Sequence, residues 1–201
     1  MSTSPIKHHI FFIMGTTCSG KSTFLRMAQE KLLGEDLVGL VEVGKMMRAK
    51  YPPEHFAGQA SPEHTRHEAW QMCEDTVFEL AGYGKRIILV DGQPRDPEQV
   101  HLCRSRFNFP EFETHFVLID ASLSVREHRA RRDRSGSDLE TLAIPRLTHD
   151  MQTYFSVLVE LLKHNERIQI FDTSCSMEED LQSIEKNVWP IAKYIKQVAG
   201  V

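Results

Sequence analysis

The sequence has no long apolar stretch. Its longest apolar run is Ile10–Met14, far short of the roughly 20 residues that a bilayer-spanning helix needs. The opening "MSTSPIKHH" lacks the charged-then-apolar order of a secretory signal. Cysteine is scarce: Cys18, Cys73, Cys103 and Cys175 are scattered and form no C-x-x-C pair, which argues against a disulfide framework and for reduced thiols in the cytoplasm. Neither charge sign dominates, since 24 Lys and Arg face 28 Asp and Glu, a net charge of −4. Such a balance offers no global attraction to nucleic acid or an anionic membrane. The ten histidines, among them His8–His9 and the pair His64 and His67, show no ligand set with a cysteine or carboxylate at metal spacing. Repeats and low-complexity tracts are absent as well.

What is present is an alternation. Five short apolar runs, at 10–14, 37–43, 86–91, 115–120 and 167–172, are separated by helical patterns. Several are apolar throughout, as strands covered on both faces should be. Residues 64–82 place Trp70, Cys73, Val77 and Leu80 at helical spacing. Residues 140–164 do the same with Leu147, Met151, Tyr154, Leu158 and Leu161. The fold class expected is α/β, one domain of 201 residues holding a five-stranded parallel sheet with helices on both faces. A last helix over 177–198 carries Met177, Leu181, Ile184, Val188, Ile191, Ile195 and Val198 as a core-facing stripe. Pro190 should kink or split it. Two excursions exceed ordinary connections, 44–84 with the breaker-rich "YPPEHFAGQASPEH" and 126–146 with "REHRARRDRSGSDLETLAIPR". Segments of that length are usually substrate lobes or lids.

The first apolar run leads into "GTTCSGKST", Gly15 to Thr23. Gly15 and Gly20 open backbone angles that let successive N–H groups of Thr16, Thr17, Cys18, Ser19 and Gly20 converge on an anion. A helix starting near Lys21 adds its positive end. Lys21 can then reach the β- and γ-phosphates of ATP, and the Ser22 hydroxyl can ligate Mg²⁺. Cys18 inside this nest could be a redox switch or simply a small loop residue.

A phosphate loop alone separates neither kinase, switch nor transport motor. The third run ends in "VDGQPRDPEQV", which puts Asp91 at the carboxyl edge of the sheet, where ligands of open α/β sheets gather. A carboxylate there can hold Mg²⁺ through its water shell. Arg95 offers a planar fork for phosphate oxygens.

Here the chain resembles the adenylate kinases and the wider nucleoside monophosphate kinase family. The family motif D-G-F-P-R with a later Gln is matched by Asp91, Gly92, Pro94, Arg95 and Gln99. T-G-D-M-L-R-A is similar to "VGKMMRA", with Gly44, Met46, Arg48 and Ala49 in place. The arginine-rich segment, its short S-D tip, the following R-L and "IQIFDTS" resemble a short lid and a final strand. The resemblance implies transfer of the γ-phosphate of ATP to a nucleoside monophosphate. It implies that 44–84 is the acceptor lobe and 126–146 the lid, and that the enzyme is a monomer handling small nucleotides. Arg48 and Arg95 would clamp the acceptor phosphate beside Val43, Gly44, Gly92 and Gln93, and Gln99 would meet the base. Arg132, Arg134 and Arg146 would surround the moving phosphoryl group, while Arg129 and the backbone from Thr173 to Cys175 would hold the ATP side.

The chain departs from the pattern on the acceptor side. Val43 stands in place of Thr, Lys45 of Asp and Gln93 of Phe, so the expected acceptor is not simply AMP. Three alternatives stay open. The acceptor could be another hydroxyl, on a small acid or a hydroxymethylated base in DNA; the chain could be an ATP-binding switch; and the arginines of 126–134 could be a solvated helix face or a nucleic-acid patch.

Overall fold

The computed structural model describes residues 6–34, 36–51, 63–133, 144–174 and 181–201. The five apolar runs become strands β1 (His8–Met14), β2 (Val38–Val41), β3 (Ile87–Asp91), β4 (Phe112–Asp120) and β5 (Ile168–Asp172). Among the described residues, seven α-helices lie between and after them: α1 (Lys21–Met27), α2 (Val43–Lys50), α3 (Glu63–Gly82), α4 (Pro97–Arg106), α5 (Leu123–Asp133), α6 (Ile144–Lys163) and α7 (Leu181–Ala199). Helix α1 runs on into a π-helical turn, Ala28–Leu32. All strands are parallel, in the order β2-β3-β1-β4-β5. The expected sheet is therefore present.

Strand β1 is its middle member. Phe11 stands beside Leu89 of β3 on one side and His115 of β4 on the other, and all seven β1 residues are buried. The two-residue alternation of a strand sends Ile10, Phe12 and Met14 into one core with Met47, Trp70, Cys73, Val100, Tyr154 and Leu161, from α2, α3, α4 and α6. It sends Phe11 and Ile13 into another with Phe24, Leu25, Val188, Ile191 and Ile195, from α1 and α7. Each such large apolar side chain contributes about 1.5–3 kcal/mol on burial. Cys73 and Cys103 lie in the first core as free thiols. Burial pushes the Cys73 thiol up to about 12 and Cys103 well above its ordinary value, so both stay protonated and inert.

Four local expectations change. Strand β2 ends at Val41, and Val43 opens α2 instead of closing the strand. Strand β5 is an edge with β4 as its neighbour, so Ile170 is exposed, not covered on both faces. Met151 is exposed while Leu147, Tyr154 and Leu161 of the same helix are buried; it lies off the inward stripe of α6. Pro190 sits inside one continuous α7. Burial of Val188, Ile191 and Ile195 on the sheet holds that helix together across the proline. The start of this last helix, expected at 177, falls before its described residues begin at 181.

Both excursions are helical where described. Lys50 and Tyr51, at the end of α2, donate to Glu68 of α3 and tie the lobe's two helices together. Residues 126–133 belong to α5. Arg126 is buried there and donates to the carbonyls of Ala121 (2.9 Å) and Leu147 (3.2 Å), so it joins α5 to α6.

Candidate functional site

The loop between β1 and α1 lies at the carboxyl edge of the central strand. Two glycines make its path possible. A Cβ on Gly15 would lie 2.4 Å from the Ile119 carbonyl oxygen of β4, and Gly20 has φ +92°, the left-handed region that side chains disfavour. Cys18 also takes a positive φ, 62°, a strained choice for a residue with a Cβ.

The loop's carbonyls are held from behind. Thr173, just after β5, donates its hydroxyl to the Ser19 carbonyl at 2.6 Å. Arg129 of α5, buried, donates to the Cys18 carbonyl (3.3 Å), the Thr173 hydroxyl (3.2 Å) and the Thr173 carbonyl (2.8 Å). Thr16 donates to Asp120, the last residue of β4, at 3.1 Å. These bonds fix the path of the loop, in which the Ser19 N–H donates to the Thr16 carbonyl at 3.2 Å.

Lys21, the first residue of α1, donates to the Asp91 carboxylate at 2.6 Å. Both are largely shielded, their side chains 15% and 23% exposed. After Asp91 the chain turns at Gly92, where Arg95 Nε donates back to the Gly92 carbonyl at 2.9 Å. A Cβ at Gly92 would lie 3.2 Å from Arg95 Nη2 and 3.9 Å from Lys21 Nζ. The lysine and the arginine therefore flank one spot on the sheet's edge. Gln99 places its side-chain oxygen 2.7 Å from the Arg95 backbone N–H, and Asp96 caps α4 by accepting from Gln99 N at 2.8 Å. Gln99 thus shapes the loop that carries Arg95.

The other expected residues fall as follows. Val43 is buried at the start of α2, and Gly44 leaves room for Arg48, whose Nη1 would be 3.3 Å from a Cβ there. Arg48 is exposed, as is Arg132 at the end of α5. Ser22 is exposed on the first turn of α1, and Thr23 follows it. Gln93 is buried, and its Oε1 has no hydrogen-bond partner. Arg134 and Cys175 lie outside the described residues, as does the side chain of Arg146.

Sequence reasoning missed two carboxylates at the loop. Asp150 of α6 accepts from the Thr17 backbone N–H at 2.8 Å and from its hydroxyl at 2.5 Å. A carboxylate of the chain itself thus occupies one of the nest's donors. Asp120 was missed too, although its place at the end of a predicted strand was a signal. The hard oxygens of Ser22 and Asp91 are the donor type that Mg²⁺ takes, and both belong to segments that meet at Lys21.

No protein-family model matches the chain, and no curated protein matches its sequence. Its structure does have solved counterparts. A shikimate kinase from Bacteroides thetaiotaomicron superposes with a TM-score of 0.54 at 15% identity, covering 93% of this chain and 98% of that one. A sugar kinase from Janibacter sp. HTCC2649 superposes with a TM-score of 0.60 at 16% identity, covering 96% and 98%. At such identities the likeness establishes the fold, which is that of the P-loop kinases.

Proposed function

We propose that the chain is an ATP-dependent phosphotransferase that moves the γ-phosphate of ATP to a nucleoside monophosphate. The observation that carries this reading is the approach of Lys21 and Arg95 to the same side of Gly92. One cation belongs to the phosphate nest and the other to the segment matching the acceptor motif. Two polyanions need such a paired site to be brought into line, and the transition state spreads negative charge over equatorial oxygens. Fixed cations then supply most of the catalysis. Mg²⁺, held by Ser22 and Asp91, would neutralise charge on the β- and γ-phosphates. Arg48 would add a second contact to the acceptor phosphate. Arg132, Arg134 and Arg146 would close over the transfer and keep water from competing. Because Val43, Lys45 and Gln93 stand where the resembled family has Thr, Asp and Phe, the acceptor is a monophosphate other than AMP alone.

The test is ADP formation from ATP and Mg²⁺ with AMP, CMP, UMP, GMP and the deoxynucleotides in turn. Turnover that requires one of these monophosphates supports the reading, and ADP formation with none of them overturns it. A second reading, a kinase of a hydroxyl on a sugar or small acid, is favoured by Asp150. An alcohol must lose a proton as it attacks, and a carboxylate beside the nest could take it. In that case sugars or hydroxy acids support turnover where monophosphates do not, and Asp150→Asn lowers it by about 10²–10⁴-fold. An ATP-binding switch would show ATP binding with no acceptor-dependent ADP at all.

A further inference from the structure

Two clusters of histidine and glutamate lie away from the nest among the described residues, and their geometry separates them. On neighbouring strands, His9 Nδ1 is 3.2 Å from His115 Nε2, with ring planes 19° apart and centroids 5.4 Å apart. That centroid distance is close to the N···N distance plus two ring radii. The rings therefore meet head-on, and one N–H points at the other's lone pair. Two nitrogens facing each other in this way form a hydrogen bond, not a chelate.

The second cluster converges. His101 of α4 and His164, just past α6, have ring planes crossing at 77° with centroids 5.1 Å apart. Both present Nε2 to one oxygen, Glu160 Oε1, at 3.3 and 3.2 Å. Glu160 and His164 stand one helical turn apart, the spacing that stacks two side chains on one face. Around a tetrahedral ion with donors at 2.0–2.1 Å, neighbouring donors lie about 3.3 Å apart. Both measured edges have that length, and all three donor atoms lie within 4.8 Å of one another. Lys163 holds the other carboxylate oxygen at 3.0 Å, which keeps Oε1 turned to the imidazoles.

We propose that His101, Glu160 and His164 form a binding site for a divalent transition metal, zinc foremost, that fastens α4 to α6. Two imidazoles and one carboxylate suit zinc and its neighbours, whereas Mg²⁺ and Ca²⁺ prefer oxygen alone. His101 is 55% exposed, so water has access to complete the coordination. The sequence hides this set because His101 comes from a different helix, 59 residues before Glu160. Helix α4 begins just after Arg95 and α6 carries Asp150. A metal here would thus fix two helices that lead into the phosphate site, though its binding does not depend on the kinase reading.

The test is calorimetric titration of the tag-free full chain with zinc chloride, in excess Mg²⁺. One zinc per chain is expected. His101→Ala and His164→Ala should each weaken it by about tenfold or more, since even indirect supports of a metal cost about that much. His115→Phe should leave it unchanged. Thermal unfolding is the second readout: zinc should raise the midpoint of the parent chain and not that of His101→Ala. No saturable zinc uptake, affinity indifferent to both histidines, or loss confined to His115→Phe would each overturn the proposal.

Discussion

The Asp150 carboxylate grips Thr17 by both its backbone N–H and its hydroxyl, across 133 residues of sequence. A phosphate seeking that N–H must displace a ligand the chain already supplies. A hydrogen bond to a charged group contributes about 1.5–3 kcal/mol, which ATP would have to overcome if it enters there. Asp150→Ala should therefore bind ATP more tightly in the absence of any acceptor, by about tenfold for each 1.4 kcal/mol released. Equilibrium binding of ATP to the two proteins measures it. Equal affinities would mean that Asp150 keeps its bond to Thr17 with the nucleotide in place.

Lys21 carries a different expectation, because its ammonium neutralises Asp91 before any ligand arrives. On the proposed reading, ATP would draw the lysine from this carboxylate to phosphate oxygens and leave Asp91 free for Mg²⁺. Lys21→Ala should lower turnover by about 10²–10³-fold, with the far-ultraviolet circular dichroism unchanged. Near-normal turnover would remove Lys21 from the transfer step.

The strands were legible because runs such as "IFFIM" and "IILV" are apolar at every position, as inner parallel strands tend to be. The need for glycine at both ends of the loop was legible from spacing alone, since Gly15 and Gly20 answer to local backbone constraints. Asp150, Arg129 and Thr173 were not legible as loop supports. Each meets the nest through the tertiary fold, and nothing in "LTHDM" or "REHRA" marks a side chain for a carbonyl or N–H more than a hundred residues away. Edge exposure at Ile170 escaped for a related reason. Gln169 interrupts the apolar run in "RIQIF", but one polar residue does not mark an edge; strand order does.

Arg129 illustrates what such a support contributes. The sequence points it towards ATP, and in the fold its two Nη atoms donate to the Cys18 carbonyl and to the hydroxyl and carbonyl of Thr173. Arg129→Leu should destabilise the protein by about 3 kcal/mol, the loss of charged hydrogen bonds that leaves buried carbonyls unpaired. In a chain of this size that is a fall in unfolding midpoint of about 6–12 °C. An unchanged midpoint with weakened ATP binding would instead make Arg129 a direct nucleotide contact.

At the opposite end of the sheet, burial lowers His115 to about 4 and also lowers His9, against a smaller upward pull from Glu113. Lys7 opposes protonation of both rings, as does Arg86 for His9. Both imidazoles are neutral in the fold at pH 7, while in the unfolded chain they titrate near 6.5. Between pH 6.5 and about 4 the unfolded chain binds more protons, so stability falls as pH drops through that window and is complete above it. Unfolding midpoints measured across this range should decline towards acid. His115→Phe, which keeps a ring against Phe11, should flatten the decline. A profile of the same steepness in the variant would assign it to other groups.

Gln93 poses the opposite problem, a polar side chain whose place in the fold costs stability. Its residue is only 3% exposed and its Oε1 has no partner, an arrangement worth about 1–3 kcal/mol against the folded state. It stands between Gly92 and Pro94, beside the spot that Lys21 and Arg95 flank. If the site opens on binding, an acceptor carrying an N–H or O–H donor would satisfy this buried oxygen. Gln93→Met keeps the length of the side chain and removes the unpaired oxygen. The unfolding midpoint should rise by about 2–4 °C for each kcal/mol recovered. At the same time KM for the acceptor should rise by about tenfold with kcat nearly constant, because the lost bond is made before the transition state as well as in it. A raised midpoint with KM unchanged would show that the oxygen faces protein alone and reads nothing of the acceptor.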